Sequence, residues 1–87
     1  MELQVLQVLA LCMQAKEKGH DVFFDYISHT DEIEVRIYKN GWVSQEDAQS
    51  TMRCDLLTNK PSEKILFMER VTVEEIIERL TNLIKED

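Results

Sequence analysis

Two helical patterns flank a stretch of alternating residues. From Glu2 to Lys18 there is no Gly and no Pro, and Val5 and Val8 are the only β-branched residues. Gln4, Gln7, Gln14 and Lys18 recur at helical spacing and mark one polar side, which Leu11 interrupts. Leu3, Val5, Leu6, Val8, Leu9, Ala10, Cys12, Met13 and Ala15 fill the rest. Gly19 stands where a helix needs a left-handed residue past its end. A helix lying on a sheet needs an apolar stripe of a little over 100°. Here the apolar arc exceeds half the circumference. Either the fold engulfs this helix or part of it meets a second chain.

The next residues alternate. Val22, Phe24 and Tyr26 face one way, as core candidates, and Phe23, Asp25 and Ile27 the other. After the polar turn His29-Thr30-Asp31, Ile33, Val35 and Ile37 alternate with Glu32, Glu34 and Arg36, which predicts a β-hairpin. Lys39-Asn40-Gly41 ends its second strand. Trp42 to Ala48 is a connection in which Ser44 and Asp47 offer a cap for one helical turn. Met52, Cys54 and Leu56 alternate with Thr51, Arg53 and Asp55, a third strand. Asn59-Lys60-Pro61-Ser62 is a turn, and Ile65 to Met68 has the length of a fourth strand. If the second and third strands pair, Glu32, Glu34 and Arg36 lie across from Arg53 and Asp55 and help set the register.

The final segment is an amphipathic helix. Thr72 is its N-cap, Glu75 completes a capping box, and Val71 with Ile76 fits the hydrophobic staple. Val73, Ile76, Ile77, Leu80, Leu83 and Ile84 make one stripe opposite Glu74, Glu75, Glu78, Arg79, Asn82 and Lys85. The whole reads as a single α+β domain over residues 1–87, ordered α-β-β-β-β-α. The expected sheet is an antiparallel four-stranded meander with the N- and C-terminal helices packed on one face.

Charge narrows the partners. Seventeen acidic and ten basic residues leave a net charge of −7. Residues 1–20 sum to 0, 21–40 to −3, 41–60 to −1 and 61–87 to −3. Holding a phosphate backbone or an anionic membrane needs clustered Lys and Arg, so no direct nucleic acid and no membrane is expected. The apolar run Val5–Ala15 lacks a basic leader and is too short to span a bilayer, which makes a cytoplasmic location the expectation. Cys12 and Cys54 read as free, small, buried residues.

No motif points to chemistry. His20 and His29 lack the paired spacing of a zinc site and read as surface or turn residues. Cys54, His29 and Asp55 are nucleophile, base and acid by type, yet they fall at structural positions. No phosphate-cradling or hydrolase motif occurs. Neither enzyme activity nor a cofactor is expected.

The order of elements resembles a known type of protein. A short N-terminal helix leads into Phe24-Asp25-Tyr26-Ile27-Ser28-His29, then Ile33-Glu34-Val35-Arg36-Ile37-Tyr38, Gly41-Trp42 and an acidic terminal helix. This layout resembles small phage- and prophage-encoded proteins of Gram-positive bacteria, which include inhibitors of host defence or host enzymes. The resemblance implies a bacterial host and assigns no functional residue. The expected function is a non-catalytic protein-interaction module that binds a protein partner, as a homodimer. Its candidate interface is Val8, Leu11, Phe23, Ile27, Tyr38 and Trp42. One alternative is an acidic inhibitor or nucleic-acid mimic that blocks a nucleic-acid-binding host protein. A small enzyme or metal protein is the other.

Overall fold

Helix α1 spans Glu2–Glu17 and stops where the sequence changes character. Gly19 adopts φ +89°. Its N–H donates to the Lys16 carbonyl and the His20 N–H to that of Ala15, both at 3.0 Å. This is a Schellman ending, and only glycine takes that backbone conformation without strain. The computed structural model describes residues 1–42, 48–60, 64–65 and 68–86. Strands β1 (Asp21–Ile27), β2 (Glu32–Tyr38), β3 (Ser50–Asp55), β4 (Lys64–Ile65) and β5 (Met68–Arg70) follow, then helix α2 (Val73–Lys85).

Strand pairing sorts side chains onto two faces. β1 and β2 pair antiparallel, with Val22 opposite Ile37, Phe24 opposite Val35 and Tyr26 opposite Ile33. β2 and β3 pair antiparallel, with Ile33 opposite Cys54 and Val35 opposite Met52. Because strand side chains alternate, Ile33, Val35, Ile37, Met52 and Cys54 share one face. They form one core cluster with Val8, Cys12 and Ala15 of α1 and with Val73, Ile76, Leu80 and Leu83 of α2. The two helices pack against each other. Each fully buried aliphatic side chain contributes about 1.5–3 kcal/mol to folding. The other face of the sheet sets Glu34 opposite Arg53, as the charge pattern leads one to expect, but Glu32 opposite the like-charged Asp55 and Arg36 opposite Thr51.

The sheet is α+β as expected but not an antiparallel meander. Its order is β1-β2-β3-β5-β4. β5 lies beside β3 and parallel to it, with Met52 opposite Glu69 and Arg53 opposite Arg70. The expected fourth strand, Ile65–Met68, is divided between β4 and β5, which pair antiparallel. The start of α2 explains the direction. Asn59, just past the end of β3, accepts the Val73 N–H at 2.9 Å. The strand that feeds α2 must therefore run toward that end of β3. Thr72 caps α2 as expected, accepting the Glu75 N–H at 3.2 Å, and the staple residues Val71 and Ile76 are buried.

Two further expectations need correction. His20 is buried rather than at the surface. Its Nδ1 accepts the Asn40 N–H at 2.9 Å and so braces the turn after β2. Tyr26 is on the core face but is 53 % exposed. It lies at the end of an edge strand, and its hydroxyl donates to Asp31 Oδ1 at 2.8 Å. The Ser44–Asp47 cap and the Pro61–Ser62 part of the turn lie outside the described residues.

Candidate interaction surface

Small residues point inward on α1 and large ones point outward. Val8, Cys12 and Ala15 are spaced by four and three, which stacks them in one stripe. That stripe is buried and lets α1 approach its neighbours closely. Leu3, Leu6, Leu9 and Met13 are 81, 60, 41 and 66 % exposed. At 100° per residue they cover a sector of roughly 120°, with exposed Ala10 inside it. The outward face of α1 is thus apolar along its middle, where Leu3, Leu6, Leu9 and Met13 are left uncovered, with the exposed Glu2 and Glu17 at its two ends.

This face continues into a free strand edge. β1 stands at the margin of the sheet, seven residues long and without Pro or Lys. Natural edges are usually guarded by such residues or by projecting charge. The two acids of β1 instead turn to their own chain. Asp21 Oδ2 accepts the Trp42 N–H at 2.7 Å, and Asp25 lies 3.8 Å from Arg36. Arg36 also stands 5.1 Å from the centre of the Phe23 ring, and that ring packs 5.2 Å from Tyr38. A depression of about 550 Å³ separates α1 from β1, with Leu9, Met13 and Lys16 on one bank and Phe23, Asp25 and Arg36 on the other. A second, of about 490 Å³, lies farther along the same seam between Leu6 and Tyr26.

The face of the sheet away from the core is charged and internally matched. Arg53 meets Glu34 at 3.2 Å, Arg70 meets Glu32 at 3.7 Å and Arg36 meets Asp25. Partly exposed pairs of this kind contribute about 0–1 kcal/mol each. They interleave Arg with the carboxylates, so this face is not a continuous acidic surface.

The expected interface residues separate into three groups. Val8 and Tyr38 are buried within the chain and cannot meet a partner directly. Val8 belongs to the stripe against the core, and Tyr38 is covered at the end of β2 beside Phe23. Leu11 and Ile27 are half-buried, Leu11 packing on the core. Phe23 and Trp42 are exposed, at 37 and 51 %. Leu3, Leu6, Leu9 and Met13 were not singled out. The signal for them was the stripe of small residues, which marks the side of α1 that packs closely and leaves the bulky side outward.

Both cysteines, including the nucleophile candidate Cys54, are shielded. Burial pushes the Cys12 thiol up to about 11. Burial, with help from the Glu74 and Asp55 carboxylates, does the same to Cys54. Both cysteines are free. His29 is exposed in the turn between β1 and β2. Among the described residues no three His, Cys, Asp or Glu side chains converge on a metal-sized space, and no helix is long and apolar enough to cross a membrane. Comparison of the chain with protein-family models, with curated proteins and with solved structures finds no match.

Proposed function

We propose that this protein is a non-catalytic interaction module of phage or prophage origin that works in the cytoplasm of a bacterial host by binding a protein partner. The observation that carries this reading is the outward face of α1, where Leu3, Leu6, Leu9 and Met13 stand in solvent. Contiguous apolar surface of this kind tends to mark docking sites. It adjoins an open strand edge, which adds backbone hydrogen-bonding capacity to the same region. The nucleic-acid-mimic alternative draws no support from the sheet face, where arginines neutralise the acids.

The test compares the wild-type chain with a Leu6→Glu/Met13→Glu double variant as immobilised bait in extract of bacteria that also express an untagged wild-type copy of the chain, so that a second copy and a different protein are both available for capture. Both positions are exposed, so the variant is expected to keep the wild-type circular dichroism spectrum. A protein retained by the wild type and lost with the variant is the expected outcome. Equal retention of every bound protein by both baits would remove α1 as the docking face.

A further inference from the structure

We infer that a second copy of this chain covers the α1–β1 seam: β1 pairs antiparallel with its twin, joining two five-stranded sheets into one of ten strands, and the two α1 helices meet face to face. The inference rests on the proposed reading of α1 as a docking face and names its occupant.

Symmetry supports a twin. Antiparallel strand pairing is self-complementary, since residue i meets j as j meets i, and so it satisfies a two-fold axis. An axis perpendicular to the sheet leaves all helices on one side. It brings α1 beside α1 of the other copy, because α1 packs against the edge strand. Area also fits. The exposed parts of Leu3, Leu6, Leu9, Met13, Phe23 and Tyr26 amount to roughly 600–700 Å², at or above the largest patch of a typical monomer. That approaches the ~800 Å² per partner of a standard interface before the β1 backbone is added.

Charge favours the same arrangement. The chain carries −7, but residues 1–20 sum to zero. α1 with the two residues flanking its end is therefore the part of this acidic molecule that can meet its twin while bringing the least net charge together. Antiparallel helices place Glu2 of one copy near Lys16, Glu17 and Lys18 of the other, an end with a net charge of one positive that weakly favours the acid. On β1 Asp21 accepts the Trp42 N–H, and Asp25, although its side chain is 58 % exposed, lies 3.8 Å from Arg36, which offsets part of the charge a second strand would meet.

Light scattering over a concentration series, with hydrogen exchange of the β1 amides, tests this. The wild type is expected at twice 10.2 kDa. Leu9→Glu and, separately, Met13→Glu are expected at half that mass with unchanged circular dichroism. The outward-directed β1 amides should exchange about tenfold or more slowly in the wild type than in either variant. A wild type of 10.2 kDa at its highest soluble concentration overturns the second copy, and the bait comparison still decides the docking face on its own. A dimer that survives both substitutions, or whose β1 amides exchange as fast as those of the variants, overturns the arrangement.

Discussion

Asn59 gathers three parts of the chain at one side chain. Its Oδ1 accepts the Val73 N–H at 2.9 Å and the Cys54 thiol at 3.4 Å. Its Nδ2 donates to both Glu74 oxygens, at 3.2 and 3.0 Å. That contact holds the Glu74 carboxyl below the usual carboxylate range. With φ at +48°, the site also suits Asn better than a β-carbon with no polar group. Asn59→Ala is expected to lower stability by about 1–3 kcal/mol in urea unfolding. The thiols set an alkaline limit. Burial raises both from 9.0 to about 11 in the folded chain. The unfolded chain therefore loses these protons first, and stability falls as pH rises from about 9 to about 11. Thermal melts across that window should shift downward. A Cys12→Ala/Cys54→Ala variant should lose most of that slope, whatever its stability at neutral pH. By the same burial, thiol reagents at pH 8 are expected to label the native protein slowly and the urea-unfolded protein fast.

Among the elements, α1 and α2 reach their burial by opposite means. α2 has one apolar stripe and was legible in full, N-cap included, because its polar residues occupy the opposite side. α1 is apolar nearly all round, so its length and its Gly19 ending were legible while its buried side was not. Ala15, completely buried in that stripe, should not tolerate bulk. Ala15→Leu is expected to cost about 1–3 kcal/mol by overpacking, whereas Leu6→Gln, exposed on the single chain, should change stability by less than about 0.5 kcal/mol at concentrations where the chain is monomeric. The hairpin and its register to β3 were legible from alternation and from the single opposite-charge match of Glu34 with Arg53. The parallel placement of β5 was not, since it depends on Asn59 fixing the start of α2, a contact between distant residues. Glu32 shows what pairing alone cannot optimise. It is 8 % exposed, lies opposite Asp55, and its Oε2 has no hydrogen-bond donor among the described residues. Like charges directly opposite are destabilising, so Glu32→Gln is expected to raise the melting temperature slightly. A clear fall would show that the ion pair with Arg70 outweighs this repulsion.

At the scale of the molecule, charge and apolar surface oppose each other. Two copies each at −7 repel, and salt screens this with a length of about 10 Å at 0.1 M. Self-association through α1 and β1 should therefore strengthen from low salt to 0.3 M, read by sedimentation. Weakening would indicate that opposite charges hold the copies together. The sequence leaves open whether α1 is engulfed or partly uncovered, and both of its α1 candidates, Val8 and Leu11, pack on the core. The polar side does not single out the buried one, because Leu11 interrupts it and the apolar arc exceeds half the circumference.

The tie between Asp21 and the Trp42 backbone has a practical consequence for spectroscopy. It fixes the chain at the protein's single tryptophan while half of that residue stays in water. The indole should fluoresce near the wavelength of a solvated one even before denaturation and should be readily quenched by acrylamide. Its emission would then scarcely move on melting. A flat fluorescence trace would thus reflect where the chromophore sits, and helix ellipticity is the signal that follows loss of the fold.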